Sequence, residues 1–162
     1  GDIQVESRPG EGALFTIYLP LVKEGMPYAR SAPAKAPAGH PKGVVLLVED
    51  DEPMRRVTNR MLSGAGYTIA EAADGKAALK FLAGGSPVAL VITNLIMPEM
   101  DGMELSKEVL RKYPGVKILF ISDYADREEN LAGALGPESA YLSKPFGPDA
   151  LLNKINELMR PA

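Results

Sequence analysis

The chain has 162 residues and a net charge of −3, with 46% hydrophobic and 24% charged residues, which is typical of a globular protein of about one domain. It has no Cys and one His, which excludes disulfides, thiolate catalysis and metal sites built from Cys or from a His pair. Without a Lys/Arg cluster, we expect neither nucleic-acid binding nor membrane contact. No apolar stretch approaches the roughly 20 residues of a membrane span and no signal-peptide pattern is present, so we expect a cytoplasmic location.

The pattern of apolar and turn residues over positions 1–22 predicts a β-hairpin. Ile3 and Val5 alternate with polar neighbours, residues 9–12 suggest a turn, and a second β-rich run covers residues 14–19. Because an isolated two-stranded hairpin is marginally stable in water, we interpret this segment as a fragment of a larger upstream domain.

A change of composition follows at residues 30–43, where Pro, Ala, Gly and Lys replace all large apolar residues. This pattern is typical of an exposed, semi-rigid linker. We place the linker at residues 23–42, with no role for His40, and a single domain at residues 43–162.

Short apolar runs then alternate with amphipathic stretches. The predicted strands cover residues 44–48, 67–70, 88–93, 116–121 and 140–142. Strands that are apolar throughout indicate a sheet covered on both faces. Five successive βα units therefore predict an α/β fold, a doubly wound five-stranded parallel sheet flanked by five helices.

Helix ends and buried helix faces can also be predicted. Candidate helix starts and stops are Asp51 with Pro53, Gly64 with Gly66, Asp74, Asp101 with Gly102, and Pro148 with Asp149. Apolar residues at helical spacing predict the buried faces of the first and last helices; they are Met54, Val57, Met61 and Leu62, then Leu151, Leu152, Ile155, Leu158 and Met159.

Polar side chains follow four of the predicted strands. They are Glu49, Asp50 and Asp51 after the first strand, Asn94 after the third, Ser122 and Asp123 after the fourth, and Lys144 after the fifth. Ligands of doubly wound sheets bind beyond the carboxyl ends of the strands, so these groups are expected to converge on one edge. Oxygen ligands of this kind suit Mg²⁺ together with phosphate, whose oxygens a hydroxyl and a Lys can hold.

The blocks "LLVEDDEPMRR", "MPEMDG", "ILFISDY" and "YLSKPF" resemble, in order and spacing, the receiver domain of bacterial two-component response regulators over residues 43–160. The resemblance implies a flavodoxin-like strand order 2-1-3-4-5 and a cis Pro145. It implies the following roles: Glu49 and Asp50 as Mg²⁺ ligands with the Ile96 carbonyl as a third, Ser122 and Lys144 as phosphate-binding groups, and Ser122 and Tyr141 as switch residues.

The same resemblance assigns Asn94 to the phosphoacceptor position, where the family has an Asp. An amide is not a nucleophile, so phosphoryl transfer is predicted to be blocked. The amide also carries no negative charge, which predicts weaker Mg²⁺ binding, although its oxygen can still coordinate. Two explanations stay open: an engineered replacement, or a naturally degenerate domain that works by binding. Asp123, an acid where the family usually has a small residue, favours natural loss.

The N-terminal stretch "GDIQVESRPGEGALFTIYLP" resembles the last strands of the ATP-binding domain of sensor histidine kinases. A kinase tail, a linker and a receiver follow this order at the C-terminus of hybrid histidine kinases. The resemblance implies a histidine kinase as the parent and no catalytic activity in this fragment. It implies as partners the kinase core of the same parent chain or a phosphotransfer protein. The face formed by the fourth helix, fifth strand and fifth helix, around residues 126–135 and 141–152, would contact such a partner or a second copy.

Two other classes of protein compete with this interpretation. A Mg²⁺-dependent phosphohydrolase of similar fold needs an acidic nucleophile followed two residues later by a second acid, and Asn94 and Ile96 do not supply them. A flavodoxin-like nucleotide binder needs a phosphate-cradling loop after the first strand, where residues 49–52 are acidic.

Overall fold

The computed structural model describes residues 1–10, 12–19, 43–123 and 136–160. The chain divides into two units, residues 1–32 and residues 33–162. The predicted linker and the predicted partner-binding segment around residues 126–135 lie outside the described residues.

The first unit contains the predicted hairpin. Strands β1 (Asp2–Arg8) and β2 (Gly12–Tyr18) pair antiparallel, with Ile3 opposite Ile17 and Val5 opposite Phe15. Because side chains alternate between the two faces of a strand, these four apolar residues share one face. They are 55–63% exposed, so the hairpin buries little of its apolar surface.

The second unit contains a five-stranded parallel sheet in the order β4-β3-β5-β6-β7, which confirms the predicted fold and strand order. The strands are β3 (Val44–Val48), β4 (Ile69–Ala72), β5 (Val88–Asn94), β6 (Lys117–Ser122) and β7 (Ser139–Ser143). The helices within the described ranges are α1 (Glu52–Gly64), α2 (Gly75–Ala83), α3 (Gly102–Lys112) and α4 (Pro148–Met159).

The core lies on both faces of this sheet. Leu46 and Val48 of β3 point to one face, where they pack in a cluster that includes Leu82 of α2 and Leu105 of α3. Residues of opposite parity, such as Leu47, point to the other face and pack against α1 and α4. This two-sided burial explains why the strands are apolar without alternation.

The predicted helix starts are confirmed by side-chain caps. Asp51, Asp74 and Asp101 each accept a hydrogen bond at 2.7 Å from the backbone N–H three residues later. Such a bond satisfies one of the donors that a helix leaves open at its first turn. The end of α1 at Gly64, followed by Gly66 at φ 89°, also agrees with prediction.

Several predicted element bounds are wrong by one or two residues. The strand predicted at residues 67–70 begins only at Ile69, because the Tyr67 N–H still donates to Leu62 O at the end of α1. Asn94 and Ser122 are the last residues of β5 and β6 and do not follow those strands as predicted. The backbone ladder continues past the apolar run from which the strand ends were predicted.

The predicted buried face of α1 is also partly wrong. Val57 is 47% exposed, whereas Thr58 and Leu62, one turn apart, are buried. The face is rotated by about one residue, because Thr58 packs inward in place of the more apolar Val57. The predicted face of α4 is confirmed, with Leu151, Leu152, Ile155 and Leu158 buried and Met159 packed against them.

Candidate functional site

The predicted polar residues meet at the carboxyl edge of the sheet. Asn94 pairs with Ile121 at the end of β5 and β6, and Ser122 pairs with Ser143 immediately before Lys144. Because all five strands are parallel, their carboxyl ends share this edge. Glu49, Asp50, Asn94 and Lys144 are joined there by hydrogen bonds.

The Glu49 carboxylate and the Lys144 ammonium form a buried ion pair. Lys144 Nζ donates to Glu49 Oε2 at 3.0 Å, and the two side chains are 8% and 5% exposed. The second oxygen, Glu49 Oε1, accepts from the Asp51 N–H at 3.3 Å. A buried charge left without its partner costs about 3–5 kcal/mol, so each residue fixes the other in place.

The Asn94 amide lies between the two candidate metal acids. Its Nδ2 donates to Asp50 Oδ1 at 3.1 Å and to Glu49 Oε1 at 3.3 Å. Ionised carboxylates only accept hydrogen bonds, so the amide nitrogen, rather than the oxygen, faces them. A neutral donor thus occupies the point at which a third carboxylate would meet Glu49 and Asp50.

The side chains at this edge include oxygen donors of the kind that Mg²⁺ binds, with one negative charge fewer than an Asp at position 94 would give. The carboxylates of Glu49 and Asp50 are hard oxygen donors, and the amide oxygen of Asn94 and the carbonyl of Ile96 stay predicted ligands. Within the part of the chain that the structure describes, no three Asp, Glu, His or Cys side chains form a metal-binding group. The site therefore offers two carboxylates where an Asp at position 94 would make three.

Ser122 and Tyr141 lie on the neighbouring strands β6 and β7. Ser122 is 2% exposed and Tyr141 is 6% exposed. The Ser122 carbonyl accepts from Tyr141 Oη at 3.2 Å and from the Lys144 N–H at 2.9 Å. The Tyr141 ring packs in the core, so a switching role for Tyr141 stays a prediction.

The loop that follows β5 approaches α3 closely. The Gly102 N–H donates to Leu95 O at 2.9 Å, and a Cβ at Gly102 would lie 2.4 Å from Asn94 O. Ile96, in the same loop, has a 45% exposed side chain. The Lys144–Pro145 bond on the other side of the site is cis, as predicted.

One contact of the site was not predicted from the sequence. Arg55 of α1 donates from Nη1 to the backbone carbonyl of Glu49 at 2.6 Å. Arg55 lies within the block "LLVEDDEPMRR", which indicates that it is near the site. Its contact could not be predicted, because side-chain contacts with a main-chain carbonyl follow no sequence periodicity.

Residues 45–156 match the family model described as response regulator receiver domain, and the chain belongs to this family. It is similar to sensor kinase CckA of Brucella abortus (strain 2308), with 35% identity over an alignment of 171 positions that spans 98% of this chain and 18% of the relative. The chain thus spans less than a fifth of that relative's length.

Solved structures agree with this family assignment. The receiver domain from the hybrid histidine kinase CckA is 29% identical, with a TM-score of 0.61 over 73% of this chain and 100% of that chain. The response regulator TrrA of Thermotoga maritima, solved in complex with Mg(2+)-BeF, is 29% identical, with a TM-score of 0.63 over 72% and 98% of the two chains. The second unit is therefore a receiver domain of a two-component phosphorelay.

No helix in the described ranges is long and apolar enough to cross a membrane.

Proposed function

We propose that this receiver domain belongs to a hybrid histidine kinase and that Asn94 blocks its phosphorylation. The domain then acts through binding, to the kinase core of the same parent chain or to a phosphotransfer protein. The observation that carries the proposal is the pair of hydrogen bonds from Asn94 Nδ2 to Asp50 and Glu49.

The chemistry of the site supports this proposal. An acceptor must offer an electron pair to phosphorus, and the amide nitrogen facing the acids has none available because its lone pair is delocalised into the carbonyl. Glu49, Asp50, Asn94 and the Ile96 carbonyl would hold Mg²⁺, which would screen the charge of a bound phosphate. Ser122 and Lys144 would bind that phosphate, and Ser122 with Tyr141 would form the switch.

The whole-chain similarity to sensor kinase CckA supports the domain order. We assign residues 1–22 to the end of a kinase ATP-binding domain, 23–42 to a linker and 43–162 to the receiver. The kinase activity would belong to the parent, and this fragment would carry none. The partner surface, or a homodimer contact, would include residues 141–152, and the cytoplasmic location stays a prediction.

The test is phosphorylation by acetyl phosphate with Mg²⁺, followed by intact mass. We expect no phosphoryl adduct on the chain with Asn94 and one adduct on an Asn94→Asp variant. In the variant, a carboxylate oxygen attacks phosphorus, the bond from phosphorus to the acetyl oxygen breaks, and acetate leaves. A parallel reaction in EDTA is the control. Equal labelling of the two proteins with Mg²⁺ would overturn the proposal.

A second variant tests whether Asp123 is a further departure that impairs the site, as natural loss would predict. Asp123 is exposed beside the buried Ser122, and its charge would repel an anionic donor. If the site degenerated naturally, adding Asp123→Ala to Asn94→Asp should accelerate labelling. Equal rates with and without Asp123→Ala would favour the engineered alternative.

A further inference from the structure

Both proposed metal acids lie in the loop between β3 and α1, and Arg55 holds the backbone of this loop. Arg55 Nη1 donates to the carbonyl oxygen of Glu49 at 2.6 Å. Arg55 Nε lies 3.6 Å from Glu71 Oε2 on the edge strand β4, and the Arg55 side chain is only 16% exposed. One guanidinium thus connects the loop with two secondary-structure elements.

We propose that Arg55 is a positioning residue, which fixes the loop so that the Glu49 and Asp50 carboxylates face residue 94. The role of this pocket in binding Mg²⁺ rests on the proposed function above. A charged donor makes a strong hydrogen bond to a carbonyl, and the planar guanidinium sets its direction. Arg55 therefore acts through the main chain and touches neither metal nor phosphate.

The position of the held carbonyl explains why the contact matters. The Glu49 N–H donates to Ala72 O at 3.2 Å, so the chain is still attached to β4 at this nitrogen. The Glu49 carbonyl begins the next peptide, which leads to Asp50. If Arg55 is lost, that peptide can rotate, and the exposed Asp50 side chain can move away from Asn94.

Glu71 orients the guanidinium from the other side. Glu71 lies opposite Leu47 in the β3–β4 ladder and also accepts a hydrogen bond from Asn59 Nδ2 of α1. The position of Glu71 is therefore set by the sheet and by the helix together. A Glu71→Gln variant should weaken the orientation of Arg55 without removing its bond to the Glu49 carbonyl.

The first experiment uses NMR on the chain with Asn94. In Arg55→Ala, we expect shifts of the Asn94 side-chain amide and of the Asp51 backbone amide, which donates to Glu49 Oε1. Arg56→Ala is the matched control, because Arg56 is the adjacent residue, is 74% exposed and pairs only locally with Glu52. Arg55→Lys should partly restore the spectrum of the chain with Arg55. Lys can donate to the carbonyl, but it has no planar guanidinium that reaches Glu71 at the same time.

The second experiment measures Mg²⁺ affinity by calorimetric titration in the Asn94→Asp background. Residues that hold metal ligands in place typically contribute 10–100-fold to metal affinity. Arg55→Ala should therefore weaken Mg²⁺ binding about tenfold. Either Arg-to-Ala change also removes a positive charge, which by itself would strengthen Mg²⁺ binding. Arg56→Ala measures this charge effect separately. A merely structural role would lower the unfolding midpoint and leave Mg²⁺ affinity unchanged.

The outcomes distinguish this proposal from the proposed function. Unchanged Asn94 and Asp51 resonances in both Arg55→Ala and Glu71→Gln would overturn the positioning role. So would Mg²⁺ affinity that Arg55→Ala leaves unchanged or increases. If Asn94→Asp binds no Mg²⁺ while the Arg55→Ala resonance shifts are observed, the magnesium pocket is overturned and the positioning role stands.

Discussion

At the scale of single residues, Asn94 changes the charge balance of the site without changing its shape. Asp and Asn have nearly the same volume, but only Asn can donate to the carboxylates of Glu49 and Asp50. Glu49 is already neutralised by Lys144 at 3.0 Å. The site with Asn94 is therefore satisfied by hydrogen bonds and needs no cation to hold it together.

We predict that Asn94→Asp lowers the free energy of unfolding by about 1–2 kcal/mol in EDTA. The variant loses two hydrogen bonds to charged acceptors. Each contributes about 1.5–3 kcal/mol when it is shielded from solvent, and the contribution is smaller here because Asp50 is exposed. Mg²⁺ should restore stability in the variant, because a ligand that binds only the folded state stabilises it. Urea unfolding followed by circular dichroism, with EDTA or Mg²⁺, measures both effects.

The control for this prediction is Asn153→Asp, the same substitution at an exposed position of α4. It should respond to neither EDTA nor Mg²⁺. An Asn94→Asp variant as stable in EDTA as the chain with Asn94 would contradict the prediction. An equal effect of Mg²⁺ on these two proteins would contradict it as well.

At the scale of secondary-structure elements, the site depends on the close approach of α3 to the end of β5. The Gly102 N–H donates to Leu95 O at 2.9 Å. Gly102 has no positive φ, so its role is to leave space rather than to adopt an unusual backbone conformation. The Asn94 carbonyl occupies that space and also accepts from Thr93 Oγ1 at 3.0 Å.

We predict that Gly102→Ala destabilises the domain by about 2–3 kcal/mol, near the upper end for inserting a methyl group into a packed interior. The new Cβ would lie 2.4 Å from Asn94 O, and a backbone atom cannot move aside as a flexible side chain does. Chemical denaturation measures the change. Gly64→Ala is the control, because apart from the adjoining backbone of α1 nothing in the described chain lies within 4 Å of the added Cβ. It should be neutral or stabilising by up to about 1 kcal/mol. Equal stabilities of the two variants would contradict the prediction.

The sequence predicted the elements of the sheet better than their ends or their contacts. Burial on both faces makes strands such as β3 apolar throughout, and that signal is strong in the sequence. Strand ends depend on backbone hydrogen bonds, so the polar Asn94 and Ser122 were predicted one position outside their strands. The contact of Arg55 with the Glu49 carbonyl depends on how α1 packs, which no local pattern records.

The meeting of polar side chains at one edge of the sheet could be predicted from the order of the elements. Parallel strands bring their carboxyl ends to one edge, so the proximity of Glu49, Asn94 and Lys144 follows from topology alone. The direction of the Asn94 amide does not follow from topology, because it is set by the hydrogen-bond acceptors around it.

At the scale of the whole molecule, the two units differ in how much core they have. The buried hydrophobic residues of the described chain all lie between Val45 and Leu158, within the second unit. The hairpin has none, and Phe15 and Ile17 are 62% and 63% exposed. Since hydrophobic burial is the main stabilising contribution to folding, the second unit contains what it needs to fold without residues 1–42.

We predict that a protein of residues 43–162 unfolds cooperatively with the same midpoint as the full chain, because it retains every core residue of the sheet and its helices. A two-stranded hairpin is marginally stable by itself, so residues 1–22 should add no separate cooperative transition. Thermal unfolding of the full and shortened chains measures this. A second truncation that also removes α4, with Leu151, Leu152 and Ile155, should not fold and serves as the control. A lower midpoint for residues 43–162 would contradict the proposed domain boundary at residue 43.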